Sequence, residues 1–263
     1  MQQTLLPGGL FDHAQIDLKQ PTPLYQDGGR GAYWLGITDE TAFRCNTYLT
    51  KDQGEVILVD PGSRAFFDQV RARTAQIVDP GRVTGMILCH QDPDVAASMV
   101  DWLDVNPEMR VFSSPRTHVL LPHYGRADYR AYDVVDAPRF DLPSGGFLQF
   151  VEAPFLHFPG AFATYDSRSG YLYSGDVWAA LDTNWRLIVK TFDEHVPKLD
   201  LFHIEYMASN IAVRGFVRAL DGLSIKAILP QHGSIIGPAH VAAALRYLEE
   251  LQCGTDLLYP DLP

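Results

Sequence analysis

Residues 83–94, VTGMILCHQDPD, decide how this chain reads. The apolar run through Cys89 has the length and composition of a buried strand. His90 opens a loop, and Pro93 announces a helix beginning near Val95. His90, Asp92 and Asp94 alternate with Gln91 and Pro93. In extended chain that alternation puts all three side chains on one side, able to converge on one cation or two neighbouring ones. Taken alone the segment decides nothing. A single histidine after a strand is more often a hydrogen-bonded structural residue than a ligand, and Asp in a turn is usually there for turn chemistry.

Outward from this segment the same device recurs three times. His157 stands in APFLHFPG (153–160), Asp176 in LYSGDVW (172–178) and His232 in ILPQHGSI (228–235). Each follows an apolar run and opens a loop, which is where a sheet exposes functional groups. Six groups able to bind a metal, on four strand ends, weigh far more than any one of them.

The surrounding pattern is strands first, then strands mixed with helices. Strands are expected at 32–37 (AYWLGI), 43–50 (FRCNTYLT) and 55–59 (EVILV), with a turn at 51–54. Asp60-Pro61-Gly62 ends the third, and Ser63 is expected to cap a helix to Ile77. Further strands are expected at 110–113, 148–153, 161–166, 171–174 and 225–229. Helices are expected at 115–123, 203–221 and 238–251. This order suits an α/β (α+β) fold in which two mixed sheets lie between helix layers. With no repeat, low-complexity tract or long linker, residues 1–263 read as a single domain.

Composition narrows the partners. The chain has 263 residues, 46% of them hydrophobic, so a sizeable core is available. A formal net charge of -11 argues against nucleic acid, which requires clustered Lys and Arg. Cys45, Cys89 and Cys253 form no CxxC pair, so neither a disulfide framework nor a zinc knuckle is written here, and a reducing, cytoplasmic compartment is expected. The N-terminus lacks the pattern of a secretory signal. No stretch approaches the roughly 18 apolar residues of a membrane span.

The motifs DPG (60–62), HxDxD (90–94), His157, SGD (174–176) and QHG (231–233) resemble, in order, those of the metallo-β-lactamase superfamily. The flavodiiron branch fits better than the hydrolases, because Asp92 stands where hydrolases carry a second histidine. The opening strands, the spacing from 157 to 176 to 232, and EYMASNIAVRGFVRAL (205–220) are also similar to that branch. The resemblance implies an αββα sandwich with two iron ions (Fe2+/Fe3+). One ion would take His90, Asp92 and His157; the other would take Asp94 and His232; Asp176 would bridge them. Imidazole mixed with carboxylate suits iron, with zinc or manganese as the alternative.

Three departures from the flavodiiron pattern qualify what it implies. Val95 replaces a final histidine ligand, leaving the second ion short unless His123, His195 or His203 fills the gap. Asp92 replaces the commoner Glu. No flavodoxin-like FMN domain is expected in this chain, and Gly145-Gly146 reads as a turn. The chain is most similar to the oxygen-binding di-iron proteins, which share the first departure and lack the flavin domain. That likeness implies a non-haem di-iron protein binding dioxygen as a ferric-peroxo adduct. It would act as an oxygen sensor, or as an oxygen, peroxide or NO reductase fed by a separate rubredoxin or flavoprotein donor. A signalling partner belongs to the first role, and a homodimer is expected from the resemblance alone. The alternative is a zinc- or manganese-dependent hydrolase of an ester, lactone or phosphodiester.

Other residues carry weaker readings. Tyr206 corresponds to a tyrosine near the di-iron pocket of relatives and is a candidate hydrogen-bond donor there, with core packing as the competing reading. His123 and Tyr124 border a pocket mouth or an ordinary loop. Cys89 is expected to point away from the metals as a small buried hydrophobe. Trp178 shields the bridge or packs in the core. Phe155, Phe158, Phe162, Phe192 and Phe202 are a candidate apolar lining suited to a small nonpolar gas.

Overall fold

Alternation along the strands builds the molecule's layers. In the computed structural model, which describes residues 3–4, 16–36 and 41–261, neighbouring strand residues enter different cores. Tyr48, Ile57, Val59, Ile87 and Phe112 face one apolar cluster, while Leu49, Leu58, Met86 and Val111 face another. A period of two with both faces buried is what a sheet covered on both sides requires.

The first sheet has eight strands in sequence order: β1 (Gln3–Thr4), β2 (Thr22–Asp27), β3 (Arg30–Trp34), β4 (Tyr48–Asp52), β5 (Glu55–Val59), β6 (Gly85–Ile87), β7 (Arg110–Ser113) and β8 (Arg130–Asp133). Pairing is antiparallel up to β5 and parallel from β5 to β8. The second sheet runs β13-β12-β11-β10-β9. Its strands are β9 (Arg139–Asp141), β10 (Phe147–Glu152), β11 (Phe162–Asp166), β12 (Tyr171–Gly175) and β13 (Ala227–Pro230). Only β12–β13 is parallel.

Three cores separate four layers. Between the sheets, Trp34, Tyr48 and Phe112 meet Phe150, Phe162 and Tyr173. Outside the first sheet, Leu58 and Met86 pack on Val70 of α1 (Phe67–Ala75) and on Met99, Trp102 and Leu103 of α3 (Met99–Val105). Outside the second, Leu172 and Ile228 pack on α5 (Phe192–Tyr206), α6 (Asn210–Ala219) and α7 (Val241–Glu250). The helices present stripes suited to this: Val213, Phe216 and Val217 on α6, and Val241, Ala244 and Leu248 on α7. Each large apolar side chain so buried contributes roughly 1.5–3 kcal/mol. The αββα sandwich expected from sequence is the observed architecture.

Boundaries differ in instructive places. The helix expected at 203–221 is two helices, because Met207 and Ser209 are extended and the Ser209 hydroxyl accepts from Ala212 N–H, starting α6 afresh. The strand expected from 43 begins at Tyr48; before it the chain makes a single antiparallel bridge, Cys45 to His232. Ser63 precedes a 3-10 turn at Arg64–Phe66, and its side chain makes no cap hydrogen bond. Gly145, at φ 89°, sits in the turn between β9 and β10, as expected of the Gly-Gly pair. Ile37, the last residue of the strand expected at 32–37, lies outside the described residues. Among the described residues no helix is long and apolar enough to cross a membrane.

Candidate metal centre

The six side chains singled out by sequence come together at the strand ends, and they divide into two groups. His90 follows β6, and its Nε2 lies 3.3 Å from Asp176 Oδ2 and 3.6 Å from Asp92 Oδ2. His157, from the loop after β10, places Nε2 3.0 Å from Asp176 Oδ2 and 3.4 Å from Asp92 Oδ2. His232, in the loop after β13, places Nε2 3.1 Å from Asp94 Oδ2 and 3.6 Å from Asp176 Oδ1. Asp176 thus turns one oxygen to each group. Its Oδ1 is buried and has no hydrogen-bond partner.

Local backbone explains the division. Asp92 is extended and precedes the short helix α2 (Pro93–Ala96), whose first turn holds Asp94. The turn into α2 replaces the straight extended run read from sequence, so Asp92 faces His90 and His157 while Asp94 faces His232. Tyr124 supports this loop by donating its hydroxyl to Gln91 C=O at 2.6 Å. Gly62 N–H donates to Val95 C=O and Ser98 N–H to Gly62 C=O, tying the DPG loop to α2.

The imidazoles are oriented from behind. His232 Nδ1 donates to Arg44 C=O at 2.9 Å, which turns Nε2 toward Asp94. His90 Nδ1 lies 3.1 Å from Cys89 Sγ. Cys89 is therefore buried as expected, yet its sulfur touches the ring of His90 rather than serving packing alone. Phe43 stacks on His232 with ring centroids 3.7 Å apart, and Tyr206 meets His157 edge-on at 5.6 Å while stacking on Phe202.

Electrostatics reflect the crowding of three carboxylates. Burial opposes the charge on Asp176, but His90, His157 and His232 outweigh it and hold its pKa at about 2. Burial likewise works against a charged His157, yet hydrogen bonds to Asp176 and Asp92 lift it to about 9. His90 and His232 are also raised, against burial, by their carboxylate neighbours. Asp92 is lowered, chiefly by hydrogen bonds to His157 and His90. In the metal-free protein protons on the imidazoles thus offset the carboxylates. A cation placed among the Nε2 atoms and carboxylates would take over that role and supply the orphaned Asp176 Oδ1 with a partner, so the donor set fits metal ions.

None of the histidines proposed for the vacancy at Val95 joins either group. His203 is fully committed, with Nδ1 on Leu199 C=O at 2.9 Å and Nε2 accepting from Trp178 N–H at 2.8 Å. His195 is buried at α5 beside Phe192, and His123 lies exposed in a 3-10 turn. Val95 itself is buried in the core outside the first sheet. The residue that sequence reading missed is Cys45. Its Sγ, an Asp94 carboxylate oxygen and a His232 ring nitrogen all lie within 4.8 Å of one another. The apolar lining is also redrawn: Phe162 and Phe192 belong to the cores, whereas Phe202 and the unanticipated Phe43 border His232. Trp178 is packed, donating Nε1–H to Ala244 C=O.

Asp60 closes the framework. Its Oδ1 accepts from Cys89 N–H at 3.0 Å, and it is 2% exposed. Burial raises its pKa from 3.8 to about 6, although the Cys89 hydrogen bonds and His90 work to lower it. A carboxyl with a raised folded pKa stabilises the fold fully below its unfolded pKa and loses that contribution as pH rises through the folded one. Asp60→Asn keeps the acceptor but cannot ionise. In urea unfolding of metal-free protein the variant should gain on wild type between about pH 4 and pH 6, by on the order of 3 kcal/mol, and hold that gain above. A gap that does not change with pH would show that Asp60 ionises in the fold without cost.

The comparisons with known proteins agree with this geometry. A family model described as ODP family beta lactamase matches residues 43–233. The solved structure "Peroxy diiron species of chemotaxis sensor ODP" is 30% identical, superposes with a TM-score of 0.82, and covers 92% of this chain and 100% of its own. The "Diflavin flavoprotein A 1" of a Synechocystis species is 25% identical over 204 residues, covering 77% of this chain and 35% of the relative. The "Flavo-diiron protein FprA2" of Clostridium acetobutylicum is 26% identical over 208 residues, covering 76% of this chain and 51% of the relative. The chain thus spans about a third to a half of the length of these curated relatives. A match that runs from the segment before β4 to the glycine after His232, through every strand end described above, makes this chain a member of the ODP family beta lactamase group.

Proposed function

We propose that this protein holds an iron ion in each of the two groups and binds dioxygen between them, with oxygen sensing as its role. The observation that carries the reading is the Asp176 carboxylate, buried, with Oδ2 among His90 and His157 and an unpartnered Oδ1 towards His232. His90, His157, Asp92 and Asp176 would hold one ion; Asp94, His232 and Asp176 the other. Iron so held supplies reducing electrons and open coordination for a small ligand.

The chain's own residues do the rest. The carbonyl of Arg44 and the sulfur of Cys89 fix the rings so that each Nε2 points inward. Phe202, Phe43 and Tyr206 make the border of the site apolar, which favours a neutral diatomic gas over a charged substrate. Tyr206, half-exposed at the edge of His157, offers a hydroxyl donor to a small ligand arriving there. Sensing is favoured over reduction by the likeness to the chemotaxis sensor, whose whole length the chain covers.

Metal-free protein loaded with ferrous iron without air, then exposed to oxygen, tests this. Two irons per chain and a visible absorption band that persists in air are expected. Steady oxygen or nitric oxide consumption with an added rubredoxin or flavoprotein donor would shift the assignment to a reductase. Retention of zinc or manganese without a spectral response, with turnover of an ester, lactone or phosphodiester, would move it to a hydrolase.

A further inference from the structure

We infer that Cys45 supplies a sulfur donor to the second group, so that the second ion sits in a Cys–Asp–His set completed by Asp176, distinct from the all-nitrogen-and-oxygen set of the first. The inference rests on the two-ion reading above and goes beyond it. Nothing in the sequence motifs places a sulfur here.

Position comes first. Cys45 Sγ is 3.8 Å from Asp94 Oδ2, and Asp94 Oδ2 is 3.1 Å from His232 Nε2. The three side chains together form a compact trio. The sulfur is not there by the accident of a loose loop. Cys45 and His232 form an antiparallel bridge, Asn46 N–H donates to Gln231 C=O at 2.6 Å, and Arg44 C=O receives the His232 ring. Backbone on both sides of the sulfur is therefore registered against the histidine it approaches.

A second observation points to an ion. Asp176 Oδ1, on a side chain 4% exposed, lies 3.6 Å from His232 Nε2 and has no hydrogen-bond partner. Two carboxylates, an imidazole nitrogen and a thiol gathered around His232 are a donor set suited to a transition-metal dication. Position 95 cannot contribute, because Val95 is turned into the outer core. Cys45 reaches the same ion from another element.

The chemistry follows. Thiolate, not thiol, is the metal ligand. On binding, the S–H bond breaks, the proton passes to water, and the freed sulfur lone pair forms the metal–sulfur bond. A thiolate adds negative charge and soft character, so the second position should discriminate against manganese and magnesium and favour iron, cobalt or zinc.

Cobalt(II) titration of the metal-free protein, wild type beside Cys45→Ser and Cys45→Ala, tests the inference, with iodoacetamide labelling of the wild type as an independent readout. Cys89 and Cys253 are buried and Cys45 is partly exposed, so the reagent reports on Cys45 first. The expected result is a sulfur-to-cobalt charge-transfer band growing with the second equivalent and labelling of Cys45 suppressed as it grows. Both variants should lack the band and bind the second cobalt at least about 10–100-fold more weakly. Two cobalt ions bound with no such band and unchanged labelling would overturn the sulfur ligand and leave the two-ion reading standing. Failure to bind cobalt at either group would overturn both.

Discussion

Asp176→Asn should leave a folded protein that retains neither ion: metal content after gel filtration falls from two per chain to near zero. Asn has the shape of Asp but not its charge, so the loss reports on ligation rather than packing. Among the described residues, Asp176 alone has an oxygen in each group. Losing any other proposed donor removes one contact from one ion, whereas losing Asp176 removes a contact from both and the negative charge that lies between them. Asp92→Asn is the matched control and should weaken the first ion while sparing the second, because the histidines it meets are His90 and His157 of the first group, its other oxygen accepting from Gln91 Nε2. Metal analysis and the cobalt spectrum distinguish the two patterns. Asp176→Asn protein that still carries two ions would defeat the bridging role.

Asn46→Ala should be the most damaging substitution away from the proposed ligands. Asn46 Oδ1 accepts from Trp34 Nε1–H at 2.8 Å, and Nδ2 donates to Pro230 C=O at 2.9 Å and Gly233 C=O at 2.8 Å. Trp34 belongs to the first sheet and Pro230 to the second, so one 1%-exposed amide joins them. Alanine leaves the Trp34 N–H and the Gly233 carbonyl buried without partners, each costing about 1–3 kcal/mol. Pro230 C=O keeps the hydroxyl of Tyr48 at 2.8 Å. The sum is about 3–5 kcal/mol with the lost bonds included, a fall in melting temperature of about 10 °C. Asn46→Asp should not rescue it, since a carboxylate oxygen would face two carbonyls. A melting temperature within a degree or two of wild type would show that water takes over these partners.

The legible part of the molecule was its periodic part. Apolar runs ending in His90, His157, Asp176 and His232 announced both the sheets and the loops that carry function, because strand interiors are occupied by packing. Cys45 was invisible for the opposite reason. Its approach to His232 depends on a single bridge between distant parts of the chain, and no local pattern encodes it. The one available signal is the gap itself: with valine at position 95, any Cys or His beside a strand becomes a candidate donor, cysteine as much as histidine. His203 had the right residue type but spends both nitrogens on its own neighbourhood. Phe202 does border His232, whereas Phe162 enters the core between the sheets, because alternation gives the face of a strand without saying which layer lies beyond it. The break at 207–209 was readable in Ser209-Asn210, a helix-start signal obscured by the apolar periodicity on either side.

The amide clamp that joins the sheets has a consequence for the order of events during folding. Asn46 and Gly233 are 187 positions apart in sequence, so their pairing closes one of the longest loops in the molecule. Loop-closure entropy and high contact order make such a junction slow to form. Until it forms, His232 has neither the Arg44 carbonyl that orients it nor Cys45 beside it. Refolding chains should therefore regain most of their strand signal before they can hold the second ion. Cation capture thus becomes a clock for the last joint of the sandwich.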